Sequence, residues 1–251
     1  MRTRHIVGTT LGVAVIAALS MAATSDDAAP PDDRAGTWRV EATGARIIGG
    51  YGQNFAYDGE NVRSIDATAT VELDTRAGTG TITIEAKTTD ESGPIRFSSA
   101  DSWSGDIRIV QRLNLAEMER ARIEEEVMLH GDTGNEAPVM PNVFNYFATW
   151  GPSKIWVNGE EVVPMIGSHT MFSEQARDSY GKIQKAGTIY SPMAQDKSGF
   201  ADPTKTEFHY VAHTTEPDSN NFPPHTAWVH LHFSDVTVHE KPADVEIPYQ
   251  R

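Results

Sequence analysis

The chain has 251 residues, with 39% apolar and 22% charged residues. That is enough to build a core and too much to stay disordered throughout. A net charge of −14 argues against a nucleic-acid binder, because neutralising phosphates needs clustered Lys and Arg. The absence of cysteine excludes disulfides, zinc fingers, iron–sulfur clusters and thiolate copper sites.

Arg2 and Arg4 precede an uncharged, mostly apolar run from Ile6 to Ala23, which ends in small residues. This is the pattern of a secretory signal peptide over residues 1–23, cut after Ala22 or Ala23. It implies a secreted or periplasmic protein with no membrane span after cleavage. Residues 24–36, TSDDAAPPDDRAG, lack large apolar side chains and read as a flexible acidic, Pro-containing tether.

From residue 37 onward, turn signals recur at the spacing expected of a sandwich or barrel. Val71–Leu73 and the alternating stretch Thr79–Glu85 flank a turn at Asp74–Gly78. Ile107–Val110 reads as a further strand. Asn114 and Glu117 have the spacing of a capping box, which predicts a short helix through about Val127. The alternative is a charged edge strand over Arg122–His130. Ile155–Val163 is the clearest hairpin, because Asn158-Gly159 suits the positive φ angles of a type I′ turn. Residues 173–206 read as a long loop excursion with a short strand near Thr188–Tyr190. Val229–Phe233 completes the set. The expected architecture is a single all-β domain over residues 37–251, either an antiparallel jelly-roll-like sandwich or a closed barrel, with at most one short helix. Two smaller β domains meeting near Asp132–Pro141 are the alternative.

Six of the nine histidines fall between His209 and His239. Strand parity places Glu207, His209 and His213 on one face, with Phe208, Tyr210 and Ala212 on the other. It likewise separates His230 and His232 from Val229, Leu231 and Phe233. If the two segments pair, facing Cβ atoms stand about 4.5–5.5 Å apart. Imidazoles could then converge on one metal ion. His130 opens a Gly-rich turn, and His169 lies in the stretch Pro164–Phe172, read as a loop beyond the hairpin. That stretch carries Met165 and Met171 and is similar, over nine residues, to the His-x-Met loop of small periplasmic copper chaperones. The likeness implies copper on His169 and Met171. The upstream Met spacing departs from that pattern and the chain continues for some eighty residues, so no family is assigned.

The predicted ligands are therefore His130, His169, His213, His230 and His232, with His209 and Met171 in reserve. Asp132 and Glu207 are expected to orient the rings from behind. Copper is favoured over zinc because thioether sulfur is soft. An open three-His site would activate water or dioxygen, whereas a saturated His/Met site would store or deliver metal. Both remain open. Two rivals are a carbohydrate-binding or carbohydrate-cleaving sandwich using Trp150 and Trp156, and a metal-free interaction domain. Partners are thus a metal ion, with a small molecule or glycan beside it.

Overall fold

The structure, a computed structural model, describes residues 36–247 apart from 54 and 56. The predicted signal peptide and all of the tether but Gly36 lie outside the described residues.

Fourteen strands follow in order: β1 (Thr37–Gly50), β2 (Arg63–Ser64), β3 (Asp66–Asp74), β4 (Thr79–Lys87), β5 (Ile95–Arg96), β6 (Ser102–Trp103) and β7 (Asp106–Asn114). Then come β8 (Arg122–Leu129), β9 (Val143–Val157), β10 (Glu160–Gln175), β11 (Gln184–Lys185), β12 (Thr188–Ile189), β13 (Asp202–His213) and β14 (Trp228–Glu240). Eight of them close into an antiparallel barrel in the order β10-β13-β14-β1-β3-β4-β7-β9, with β9 pairing back onto β10. The closed-barrel alternative is the correct one, and closure removes the exposed sheet edges a sandwich would have. β8 is an extra strand on β9. It pairs with residues 143–150, where β7, which pairs with 153–157, has already left the sheet.

Among the described residues no α-helix forms. Asn114 and Glu117 make a tight turn, with Glu117 N–H and Met118 N–H both donating to the Asn114 carbonyl. The chain then enters β8. The alternating side chains of 122–129 are better satisfied as a strand on β9 than as a helix. The Asn158-Gly159 hairpin forms as expected, with φ of 51° and 85°. A second correction concerns Pro164–Phe172. This stretch belongs to β10, not to a loop. Pro164 is tolerated because the β9–β10 register is irregular between Val163 and Ile166, where no ladder N–H is missed.

The barrel interior is filled, as an eight-stranded barrel requires. Trp38, Val40, Val71, Ile84, Ile109, Phe147, Phe172, Phe208, Leu231 and Phe233 pack it. On the β7–β9–β10 side the filling is polar and satisfied. Gln111 accepts from Thr149 Oγ1 at 2.7 Å and donates to Ser168 Oγ at 2.8 Å. Ser153 and Ser168 hydroxyls meet at 2.7 Å. With the lumen packed, any site must lie on the outer wall. A second cluster is built there from Ile48, Phe55, Met140, Val143, Ala176, Ile183, Tyr190 and Trp228. It binds the loops before β2 and after β10 to the barrel.

Candidate metal centre

Antiparallel pairing turns the sequence parity into two rows across the outer wall. Trp150 on β9 pairs with His169 on β10, His169 with Val211 on β13, Val211 with His230 on β14, and His230 with Gly49 on β1. In the next row Ala148, Met171, His209, His232 and Arg46 follow in the same manner. Outer side chains of a barrel normally meet water, but these do not. His209, His232 and Glu207 have no exposed surface, and Met171, His230, His130 and His169 are between 1% and 8% exposed. The second apolar cluster and β8 cover them.

His130 reaches the same place from another direction. It follows β8 with a left-handed φ of 62°, a conformation that non-glycine residues rarely adopt. Its N–H donates to Asn135 O at 2.7 Å. The turn carries the ring back over the wall, so that Nε2 stands 3.2 Å from Met171 Sδ.

Glu207 anchors the group. Its Oε1 accepts from Ala176 N–H at 2.9 Å and from His209 Nε2 at 2.7 Å. Its Oε2 accepts from Arg177 N–H at 3.1 Å and from His232 Nε2 at 2.9 Å. Burial alone would push this carboxyl up. The imidazoles of His209 and His232 outweigh burial and hold it well below the usual carboxylate range. Arg177, also fully buried, lies over the Phe55 ring at 4.9 Å. Burial pushes its guanidinium down to about 10, with Glu207 opposing.

The far nitrogens of the other rings are fixed too. His130 Nδ1 is 2.8 Å from the Ala137 carbonyl, and His169 Nδ1 is 3.0 Å from the Thr149 carbonyl. A carbonyl can only accept, so each Nδ1 carries the proton and each Nε2 presents a lone pair. His130 Nε2 therefore faces Met171 sulfur with no proton between them. His169 Nε2 is buried with no partner. His209, held through Nε2, turns Nδ1 to His230 Nε2 at 2.8 Å. His232 Nδ1 is buried and unpartnered. Burial disfavours the charged form of His130, His169, His230 and His232. It pushes His130 and His232 down to about 4, and His169 and His230 well below the ordinary imidazole value.

Glu207, His209 and His232 form a buried group whose ligand atoms all lie within 4.8 Å of one another, and such a group can hold a metal ion. The structure brings His130, His169, Met171, His209, His230 and His232 onto one patch, with Glu207 behind two of them. It sets His213 apart. That residue lies four positions beyond His209 on β13, its Nδ1 bonds the Thr214 carbonyl, and its ring stacks on His225 at 4.0 Å. Asp132 does not orient an imidazole. It is exposed and accepts from Asn142 Nδ2, which stabilises its own turn.

Trp150 is half-buried against His169, ring to ring at 4.5 Å, under the Arg122 guanidinium at 3.7 Å. With both faces covered it offers no platform for a sugar. Arg177, and the Ala137 and Thr149 carbonyls that set the tautomers, escaped sequence reasoning. Backbone acceptors leave no mark in residue identity.

The centre defines the class: a closed eight-stranded barrel with a buried imidazole–thioether–carboxylate group on its outer wall. Comparison of the chain with known protein families, with curated proteins and with solved structures finds no match.

Proposed function

We propose that the protein binds one transition-metal ion, copper ahead of zinc, among His130 Nε2, His169 Nε2 and Met171 Sδ, with the hydrogen-bonded His209–His230 pair beside them. The observation that carries this reading is acceptor facing acceptor. Two imidazole lone pairs and a thioether lie together with no protein donor to satisfy them, an arrangement that a cation would take up. Burial disfavours the protonated form of His130 and His169, so protons compete little for their ligand atoms. Hydrogen bonds on the far nitrogens are the usual support of metal-binding histidines. Met171 favours copper, since thioether sulfur is soft.

A second placement puts the ion on Glu207, His209 and His232, whose atoms meet the distance requirement. The contacts weigh against it. Two ligand atoms on one tetrahedral ion at about 2.0–2.1 Å stand roughly 3.3 Å apart. The Glu207–imidazole distances of 2.7 and 2.9 Å are those of hydrogen bonds. Both carboxylate oxygens are also already engaged by backbone N–H groups.

We read the chain as exported, on the strength of its basic start, apolar run and small-residue end. Mass spectrometry of the protein recovered outside the cytoplasm should show a chain beginning after Ala22 or Ala23.

The metal reading is tested by titrating chelator-treated protein with copper and with zinc. One equivalent should bind tightly to wild type and to His213→Ala. His169→Ala should lose it. Glu207→Gln should still bind, about 10–100-fold more weakly, as loss of an orienting partner does. If Glu207→Gln abolishes binding and His169→Ala leaves it unchanged, the ion belongs to the second placement. No stoichiometric binding by wild type removes both.

A further inference from the structure

The ligand patch forms the floor of a chamber of about 990 Å3. That is at the upper end of the roughly 300–1,000 Å3 typical of small-molecule sites. His130, His169, Met171 and His230 all line it, so a guest on the floor would touch the proposed ligands.

The chemistry of the walls is one-sided. Buried Phe55, Met140, Ile166 and Trp228 surround the floor. Four methionines, Met118, Met140, Met165 and Met171, reach the lining. Thioether side chains adapt to irregular apolar shapes. Met165 stands at 74% exposure, an apolar side chain held out in water beside the opening. The charged lining residues are Glu119, Arg120, Glu136 and Glu216, and all four are exposed, which places them at the rim. No Asp, Glu, Lys or Arg side chain of the lining lies on the floor. In the metal-free protein a charged guest would therefore be left unpaired in an apolar seat, which is costly. The chain's net charge of −14 disfavours anions further.

We propose that this chamber binds a neutral, largely apolar molecule and seats it directly against the His130–His169–Met171–His230 floor. The seating of that guest on a metal ion rests on the metal reading above; its entry into the chamber does not.

Gly167 supplies the test. It lines the chamber on the same face of β10 as His169, and a Cβ added there meets only the His213 carbonyl at 3.8 Å, an ordinary contact. The strand therefore accepts a Cβ at this position, and Gly167→Trp should project an indole into the chamber. The probe is N-phenyl-1-naphthylamine, neutral and apolar, followed by its fluorescence. Its matched anion is 8-anilinonaphthalene-1-sulfonate. Metal-free wild type should bind one equivalent of the neutral probe saturably and the anion at least about tenfold more weakly. Gly167→Trp should bind the neutral probe at least about tenfold more weakly while keeping the wild-type melting temperature and metal stoichiometry. Paramagnetic copper(II) on the floor should quench the bound probe, and zinc should not.

Failure of the neutral probe to saturate, equal binding by Gly167→Trp, or equal binding of the anion overturns the chamber proposal and leaves the metal reading standing. Saturable probe binding by a protein that takes up no metal overturns the metal reading and the seating on it, and leaves the apolar guest site standing. Metal uptake and probe binding together without copper quenching overturn the seating alone.

Discussion

Glu207→Gln puts the anchoring role of the carboxylate to a direct test. Each carboxylate oxygen accepts two hydrogen bonds, one from backbone and one from imidazole. An amide keeps one oxygen and replaces the other with an NH2 group that cannot accept. Two buried donors, either Ala176 N–H with His209 or Arg177 N–H with His232, then face two further donors. Hydrogen bonds to a charged group contribute roughly 1.5–3 kcal/mol each. Losing two gives about 3–6 kcal/mol, and a change of imidazole tautomer can recover part of it. For a domain of this size about 1 kcal/mol corresponds to roughly 2–4 °C in Tm. The metal-free variant should thus melt roughly 6–24 °C below metal-free wild type by differential scanning calorimetry, less whatever the tautomer change recovers. A melting point within about 2 °C of wild type would show that the four contacts carry no such weight, and the anchoring argument would fail.

Further outcomes follow from the same contacts. Metal-free protein should lose stability on acidification. His130 and His232 sit near 4 in the folded chain against about 6.5 unfolded, so the unfolded state takes up protons that the folded state refuses. Their contribution is complete above about pH 6.5 and falls as pH drops towards 4, by on the order of 3 kcal/mol per ring. Urea midpoints at pH 7.5 and 4.5, in the presence of chelator, read this, and equal midpoints would contradict it. Gly49→Ala should destabilise by about 1–3 kcal/mol, because a Cβ there falls 2.1 Å from Trp228 Cη2. Thermal melting against Gly167→Ala, which should shift by no more than about 0.5 kcal/mol, isolates the clash. Met171→Leu keeps the volume and should alter stability by less than about 1.5 kcal/mol. Competition titration should show its copper(I) affinity falling while zinc affinity holds.

Strand parity is local chemistry, and so the sequence shows that Glu207, His209, His230 and His232 face away from the apolar side. The hairpin at Asn158-Gly159 is equally local, because its two residues carry the conformational demand themselves. Barrel closure is not local. It depends on β9 pairing with β10 at one edge and with both β7 and β8 at the other, and no residue announces that bend. The cover is also invisible in sequence. An outward histidine face reads as solvated until β8 and the loops before β2 and after β10 are placed over it. Pro164 and Gly167 look like loop punctuation, which hid the strand that carries His169 and Met171. Asn114 and Glu117 form a turn, because the side chains that follow are paired on β9. The separation of His213 from the patch follows from register. Val211 pairs with His230 and His209 with His232, leaving His213 against Trp228.

Metal content measured after loading bears most directly on the central claim. Chelator-treated protein without an affinity tag should be loaded with copper, dialysed, and analysed for metal per chain. The buried lone pairs of His130, His169 and Met171 predict one copper per wild-type chain, one per His213→Ala chain, and none in the His130→Ala/His169→Ala double variant, checked as folded by circular dichroism. Wild type without stoichiometric metal, or a folded double variant that keeps its copper, would contradict the account.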